Sequence, residues 1–256
     1  VSDVVAAELT TVSIDSSNGT IDFGDDEGLD ADKLATINIA GDNAVTVGTG
    51  TTIATAALNE ISAASATGNI TLGDGLEFSG DASVTTGSGD DTLAFDFDTA
   101  ASSLELTAGA GTDTLKLVSS NADTNNAVVD LSAADQIVSV DGNGDSKVQS
   151  GFEKLDASGL NNAGAGVNVT AAAAGSEITG SKNDDVLIGG ASGDTFDISE
   201  GGNDNVQGNA GDDTILGAEA DFTASDTLNG GTGTDDEIKI TADSSSGAVL
   251  NDISGI

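Results

Sequence analysis

The chain predicts an all-β fold, a parallel β-solenoid of the β-helix or β-roll kind, and three observations carry that prediction. Between Gly180 and Leu216 one short phrase recurs as GSKNDDVLI, GGASGDTFD, ISEGGNDNVQ and GNAGDDTIL, so that its acids Asp185, Asp194, Asp204 and Asp213 fall nine, ten and nine residues apart. A looser phrase, Leu9-Thr-Thr-Val12-Ser-Ile14, Leu34-Ala-Thr-Ile37-Asn-Ile39 and Leu58-Asn-Glu-Ile61, starts again after 25 and then 24 residues. Self-similarity at such a period is the signature of stacked coils. Finally, the 256 residues include 35 glycines and no proline, which suits short strands that must all donate to a hydrogen-bonded ladder.

The nine-residue spacing follows from what one unit builds. Its glycine-rich first six residues turn sharply, partly at positive φ, and its last three form a short strand with one inward apolar side chain. Each acid stands two residues before that side chain, giving Asp185/Leu187, Asp194/Phe196, Asp204/Val206 and Asp213/Ile215. A flexible linker of the same composition has no reason to keep that offset. Two units complete a coil, so units two apart stack on one edge, with Asp185 beside Asp204 and Asp194 beside Asp213. A hard cation that accepts six to eight oxygens fits between such turns, and Ca2+ suits them better than Mg2+, which holds a tighter octahedron. Single matches stand elsewhere: TGSGDDTLA with Asp91 and Leu93, AGAGTDTLK with Asp113 and Leu115, and GGTGTDDEI, where Asp235 and Asp236 compete for the ligand position. For these an ordinary β-turn is the alternative.

The alternating runs Ala44–Val47, Asn69–Leu72 and Val167–Thr170 read as further strands, and Phe152-Glu-Lys-Leu155 restarts the looser phrase. An antiparallel sandwich is the alternative over residues 1 to 75. Thr52–Ser65 and Leu131–Val138 are the segments compatible with short helix. The chain is expected to be one continuous solenoid: residues 1–178 Thr/Ala/Gly-rich with isolated turns of the nonapeptide kind, 179–240 the regular roll, and 241–256 the start of a further coil, with the natural protein continuing beyond Ile256. Asp141-Gly-Asn143-Gly-Asp145 begins like an EF-hand loop, but Ser146 replaces the turn glycine and Phe152 the twelfth-position Glu, so it reads as a turn. Sequons at Asn18, Asn69 and Asn168 are expected by chance in so Thr-rich a chain.

Charge and missing residue types exclude several functions. Asp and Glu number 44 against 6 Lys and Arg, a formal charge of -38. Such a surface repels nucleic acid and anionic membrane, which need clustered Lys or Arg, and it repels itself unless cations bind. Acidity also fits adaptation to salt, which leaves the phasing of the acids unexplained. There is no Cys and no His, hence no disulfide framework, no thiolate metal site and no Ser–His pair. The pair Glu153 and Asp156 lacks the aromatic sugar cleft of glycosidases, since the chain has seven Phe and neither Trp nor Tyr. The sequence therefore predicts no enzymatic activity. No apolar run approaches the length that spans a bilayer, and the N-terminal residues lack a signal-peptide pattern.

The phrases LATINIAGDNAVTV, LNEISAASATGNITLGDG and FEKLDASGLNNAGAGVNVTAAAAGSEITG, together with the nonapeptides, resemble the RTX-type surface-layer proteins of Gram-negative bacteria, most strongly from about residue 30 to 240. The resemblance implies a secreted, extracellular structural protein on the bacterial surface. It implies a homo-oligomeric lattice or filament dependent on calcium, and anchoring to lipopolysaccharide through a portion not seen in these residues. Carried over by position, the ligand acids are Asp185, Asp194, Asp204 and Asp213, then Asp91, Asp113 and Asp235 or Asp236. Asn183 and Ser192 replace a pattern glycine, and Ser199-Glu200 replaces a leading Gly-Gly, so the departures fall most heavily on the edge shared by Asp185 and Asp204. A passive RTX folding module of a secreted adhesin, toxin or hydrolase is the alternative.

Overall fold

The computed structural model describes residues 4–5, 8–23, 29–30, 33–48, 58–76, 78, 80–96, 104–119, 125–140, 143–144, 147–160, 164–241 and 252–256. These contain strands and turns but no helix. The chain forms two compact units: residues 1–116 with 145–152, and residues 117–144 with 153–256.

In the first unit, strands Thr11–Asp15, Thr36–Ala40, Glu60–Ser62, Ala82–Thr85, Leu104–Thr107 and Gln149–Ser150 lie side by side in one parallel sheet. Ile21–Phe23, Val45–Val47, Ile70–Leu72 and Thr92–Asp96 form a second parallel ladder. The looser phrase is the coil: Val12 stands beside Ile37, and Ile37 beside Ile61. Parallel pairing between Thr11–Asp15 and Thr36–Ala40 requires a crossover between them, so the sandwich alternative fails here. Alternate residues point inward, and Ile37, Ile39, Val45, Val47, Ile61, Ile70 and Leu72 are all buried.

The second unit repeats the plan. One ladder runs Lys154–Leu160, Glu177–Thr179, Thr195–Asp197, Thr214–Gly217 and Glu237–Ile240. The other runs Ala127–Asp130, Val167–Thr170, Val186–Ile188, Asn205–Gln207, Thr227–Asn229 and Asp252–Ser254. The strand of each nonapeptide contributes one apolar side chain to the core, and these stack into columns. Ile178, Phe196, Ile215 and Ile238 make one column, and Val169, Leu187, Val206 and Leu228 the other. Leu187, Phe196 and Val206 have no solvent exposure. Burying a side chain of this size contributes about 1.5–3 kcal/mol, little for nine ordered residues, so the turns need a further source of stability.

Both helix-compatible segments differ from expectation. Leu131–Val138 begins instead with a turn in which the Ser132 N–H and hydroxyl both donate to Asp130 Oδ1. It ends in the strand Ile137–Val140, antiparallel to Ala127–Asp130. In Thr52–Ser65, residues 52–57 lie outside the described residues, and Glu60–Ser62 is a strand whose Ile61 stands between Ile37 and Val84. Ladder pairing outweighs the weak helix preference of these short Ala-rich stretches. Of the EF-hand-like phrase, Asp141, Gly142 and Asp145 lie outside the described residues.

Candidate calcium-binding stacks

The acid of each turn is drawn inward by the strand that follows it. Because the apolar residue two positions on points into the core, the acid shares that orientation, and Asp91, Asp113, Asp185, Asp194, Asp204 and Asp213 are at most 2% exposed. Unpaired carboxylates do not remain buried without donors. Here the donors are backbone N–H groups of the preceding coil.

Two stacks result in the second unit. On one edge Asp185 Oδ1 accepts the Val167 N–H at 2.7 Å, Asp204 Oδ1 that of Asp185 at 3.0 Å, and Asp226 Oδ1 that of Asp204 at 2.8 Å. On the other, Asp194 Oδ1 accepts from Ser176 at 2.7 Å, Asp213 Oδ1 from Asp194 at 2.7 Å, and Asp236 Oδ1 from Asp213 at 2.8 Å. The expected pairs are thus brought together, Asp185 with Asp204 and Asp194 with Asp213. The first unit holds a shorter stack of the same kind, in which Asp91 Oδ1 accepts from Ile70 and Asp113 Oδ1 from Asp91, both at 2.7 Å.

Three placements add to the sequence reading. Asp236, not Asp235, continues the stack; Asp235 is exposed, with its N–H on Asp212 Oδ1 at 3.2 Å. Asp226 is a stack member that the glycine pattern misses, because its turn ADFTAS has no glycine. The acid-to-apolar offset from Asp226 to Leu228 was nevertheless present in the sequence. Asp91 and Asp113 join because one coil there takes 22 residues, so the interval hides the repeat.

The second carboxylate oxygen separates the acids. Asp185 Oδ2 accepts the Ser181 N–H at 2.7 Å, while the Ser181 hydroxyl donates to Oδ1 at 2.9 Å. Asp194 Oδ2 accepts from Gly190 at 2.7 Å and Asp226 Oδ2 from Thr223 at 2.5 Å. In contrast, Asp204 Oδ2 and Asp213 Oδ2, the middle members of their stacks, are buried with no donor. A buried anionic oxygen without a partner is strongly unfavourable, and a bound cation would satisfy it.

Electrostatics give the same picture. Burial, then the neighbouring charge of Asp185, push the Asp204 carboxyl up to about 8. Burial likewise raises Asp185 and Asp213 to about 6 each, and it raises Asp194 and Asp91 against the hydrogen bonds that lower them. Glycine makes room for these carboxylates. A Cβ on Gly189 would lie 2.7 Å from Asp194 Oδ2, and one on Gly208 would collide with both Asp213 Oδ2 and the Gly230 carbonyl.

Among the described residues no three acids converge into one metal cage, so turn carbonyls would supply the remaining oxygens around a cation. The donor set is all oxygen, anionic and set in adaptable turns, which fits calcium. Because Asp236 belongs to the stack and Asp235 does not, Asp236→Ala is expected to weaken calcium binding severalfold and Asp235→Ala to leave it within about twofold. Calorimetric titration of the two variants checks this.

Residues 175–197 and 198–221 match the RTX calcium-binding nonapeptide repeat. No curated protein and no solved structure matches the chain. The match covers both middle acids, Asp204 and Asp213, and the columns built from Phe196, Val206 and Ile215. The chain carries RTX calcium-binding nonapeptide repeats, folded as a parallel β-solenoid.

Proposed function

We propose that the protein is a structural, calcium-binding subunit of a secreted, self-assembling layer or filament on the bacterial cell surface. In this reading calcium drives both folding and subunit association, and the chain is not an enzyme. RTX calcium-binding repeats suggest a module of secreted proteins. The observation that carries the structural role is the parallel ladder of the first unit, six strands from Thr11 to Ser150, outside the residues that match the repeat. A module that only folds another domain has no need of so long a strand array. The absence of His and Cys from the sequence supports the same reading.

The charge explains why calcium would govern assembly. Faces of a chain with formal charge -38 repel unless cations neutralise or bridge them. With calcium the purified protein is expected to form ordered sheets or fibres that excess chelator dissolves, as seen by electron microscopy and light scattering. A persistent monomer at high concentration with calcium would favour the passive RTX module of an adhesin, toxin or hydrolase.

A further inference from the structure

Five residues within two positions of a strand start, of which Asp90, Asp184 and Asp212 stand immediately before a buried acid, repeat a contact that the metal reading does not use. Asn69 Oδ1 accepts the Asp90 N–H at 3.1 Å, and Asp90 Oδ1 accepts the Thr112 N–H at 2.9 Å. Asn126 Oδ1 accepts the Gly166 N–H at 2.9 Å. Asp184 Oδ1 accepts the Asn203 N–H at 2.8 Å and its side-chain Nδ2 at 3.0 Å. Asp212 Oδ1 accepts the Thr234 N–H at 2.8 Å, the Thr234 hydroxyl at 3.1 Å and the Asp235 N–H at 3.2 Å. In each case the donor belongs to the next coil, 22 residues on for Asp90, 40 for Asn126 and 19 for Asp184.

We propose that this outer column is a coil-to-coil clamp that requires a side-chain carbonyl oxygen but no charge, and that it acts independently of metal. Direction and chemistry both separate it from the inner stack. The inner acid accepts from the coil before it, the outer residue from the coil after it, so the dipeptide Asp184-Asp185 ties three successive coils through Asn203 and Val167. Asp90-Asp91 does the same through Thr112 and Ile70, and Asp212-Asp213 through Thr234 and Asp194. Asn serves at positions 69 and 126 where Asp serves at 90, 184 and 212, which an amide can do only if the bond, and not the charge, is what matters. The outer Asp residues are solvent-exposed, whereas Asp91, Asp185 and Asp213 are buried.

The clamp has a consequence for folding order. It gives each new coil a seat on the one before it without any ion, so calcium would complete a coil already in register rather than select the register itself. The inference goes beyond the lattice reading and survives if that reading fails.

Amide exchange of Asn203, measured by NMR on the calcium-loaded full chain, tests it together with the calcium midpoint of folding. Asp184→Asn keeps the acceptor oxygen, so Asn203 protection and the calcium midpoint should stay within about twofold of the parent. Asp184→Ala should speed Asn203 exchange about fivefold, the factor that one net hydrogen bond represents. If Asp184→Ala does not fold, Asn69→Ala read at the Asp90 amide gives the same comparison in the first unit. The proposal is overturned if Asp184→Asn behaves like Asp184→Ala, or if Asp184→Asn shifts the calcium midpoint severalfold, since charge would then be essential. It is equally overturned if loss of the acceptor leaves the donor amide's exchange unchanged.

Discussion

Removal of calcium is expected to unfold the roll over residues 179–240, with loss of its strand signal in far-UV circular dichroism and recovery when millimolar-scale calcium returns. The expectation rests on how little else holds these coils. Each nonapeptide strand buries a single apolar side chain such as Leu187, Phe196 or Val206, with Ile198 a further one in the third unit, against a backbone ordering cost of about 1–2 kcal/mol for every residue. Meanwhile Asp204 and Asp213 each bury a carboxylate oxygen that no donor satisfies. With calcium, binding free energy becomes folding free energy, because the site does not exist in the unfolded chain. Equal strand content with excess chelator and with calcium would refute this.

The second large effect is an inversion of the usual acid sensitivity. Asp204 at about 8 and Asp185 and Asp213 at about 6 stand above their ordinary value of 3.8. Between about pH 4 and 8 the calcium-free folded chain therefore holds more protons than the unfolded chain, so its stability falls as pH rises through that window. The penalty is absent below the ordinary carboxylate range and complete once pH exceeds the folded value of Asp204. With chelator present, more of the roll's strand signal should remain at pH 5 than at pH 8.5. With calcium the trend should flatten or reverse, because protons compete with the ion for the same oxygens. Asp204→Asn sharpens the test through two effects of opposite sign. Neutralising the buried group should stabilise the calcium-free chain at pH 8.5, while removing a ligand should raise the calcium needed for full folding by about tenfold or more. If Asp204→Asn changed both in the same direction, the carboxylate would not be the group that calcium relieves.

The parts of the fold that the sequence made legible are those where composition and phase agree. From Gly180 to Leu216 the glycines, the acids and the apolar residue after each acid keep one offset, so turn, stacked acid and strand are each legible in the sequence. Leu34 and Leu58 marked the coil of the first unit because Ile37 and Ile61 fall at the same offset and stack in the ladder. Where coil length varied, the stack was hidden: Asp91 and Asp113 meet across 22 residues, and Asp226 lies 22 residues beyond Asp204 after a turn without glycine. Interval alone could not separate Asp235 from Asp236. Register does, because Glu237 pairs with Thr214 and so sets Asp236 level with Asp213. The division of labour between carboxylate oxygens was not legible, since it depends on which turn supplies a second donor. The Ser181 N–H is such a donor for Asp185, as the Gly190 N–H is for Asp194, and only the Ser181 hydroxyl bond to Asp185 Oδ1 comes from the departure from the pattern's glycine.

On this reading calcium sits between coils on the inner acids, foremost at the two middle members Asp204 and Asp213. Crystals grown with calcium and measured for anomalous scattering locate the ions directly. The account predicts anomalous density bonded to the carboxylates of Asp204 and Asp213, with the turn carbonyls completing each site. Density confined to the outer acids Asp90, Asp184 and Asp212, or an ordered roll with no ion at either middle acid, would contradict it.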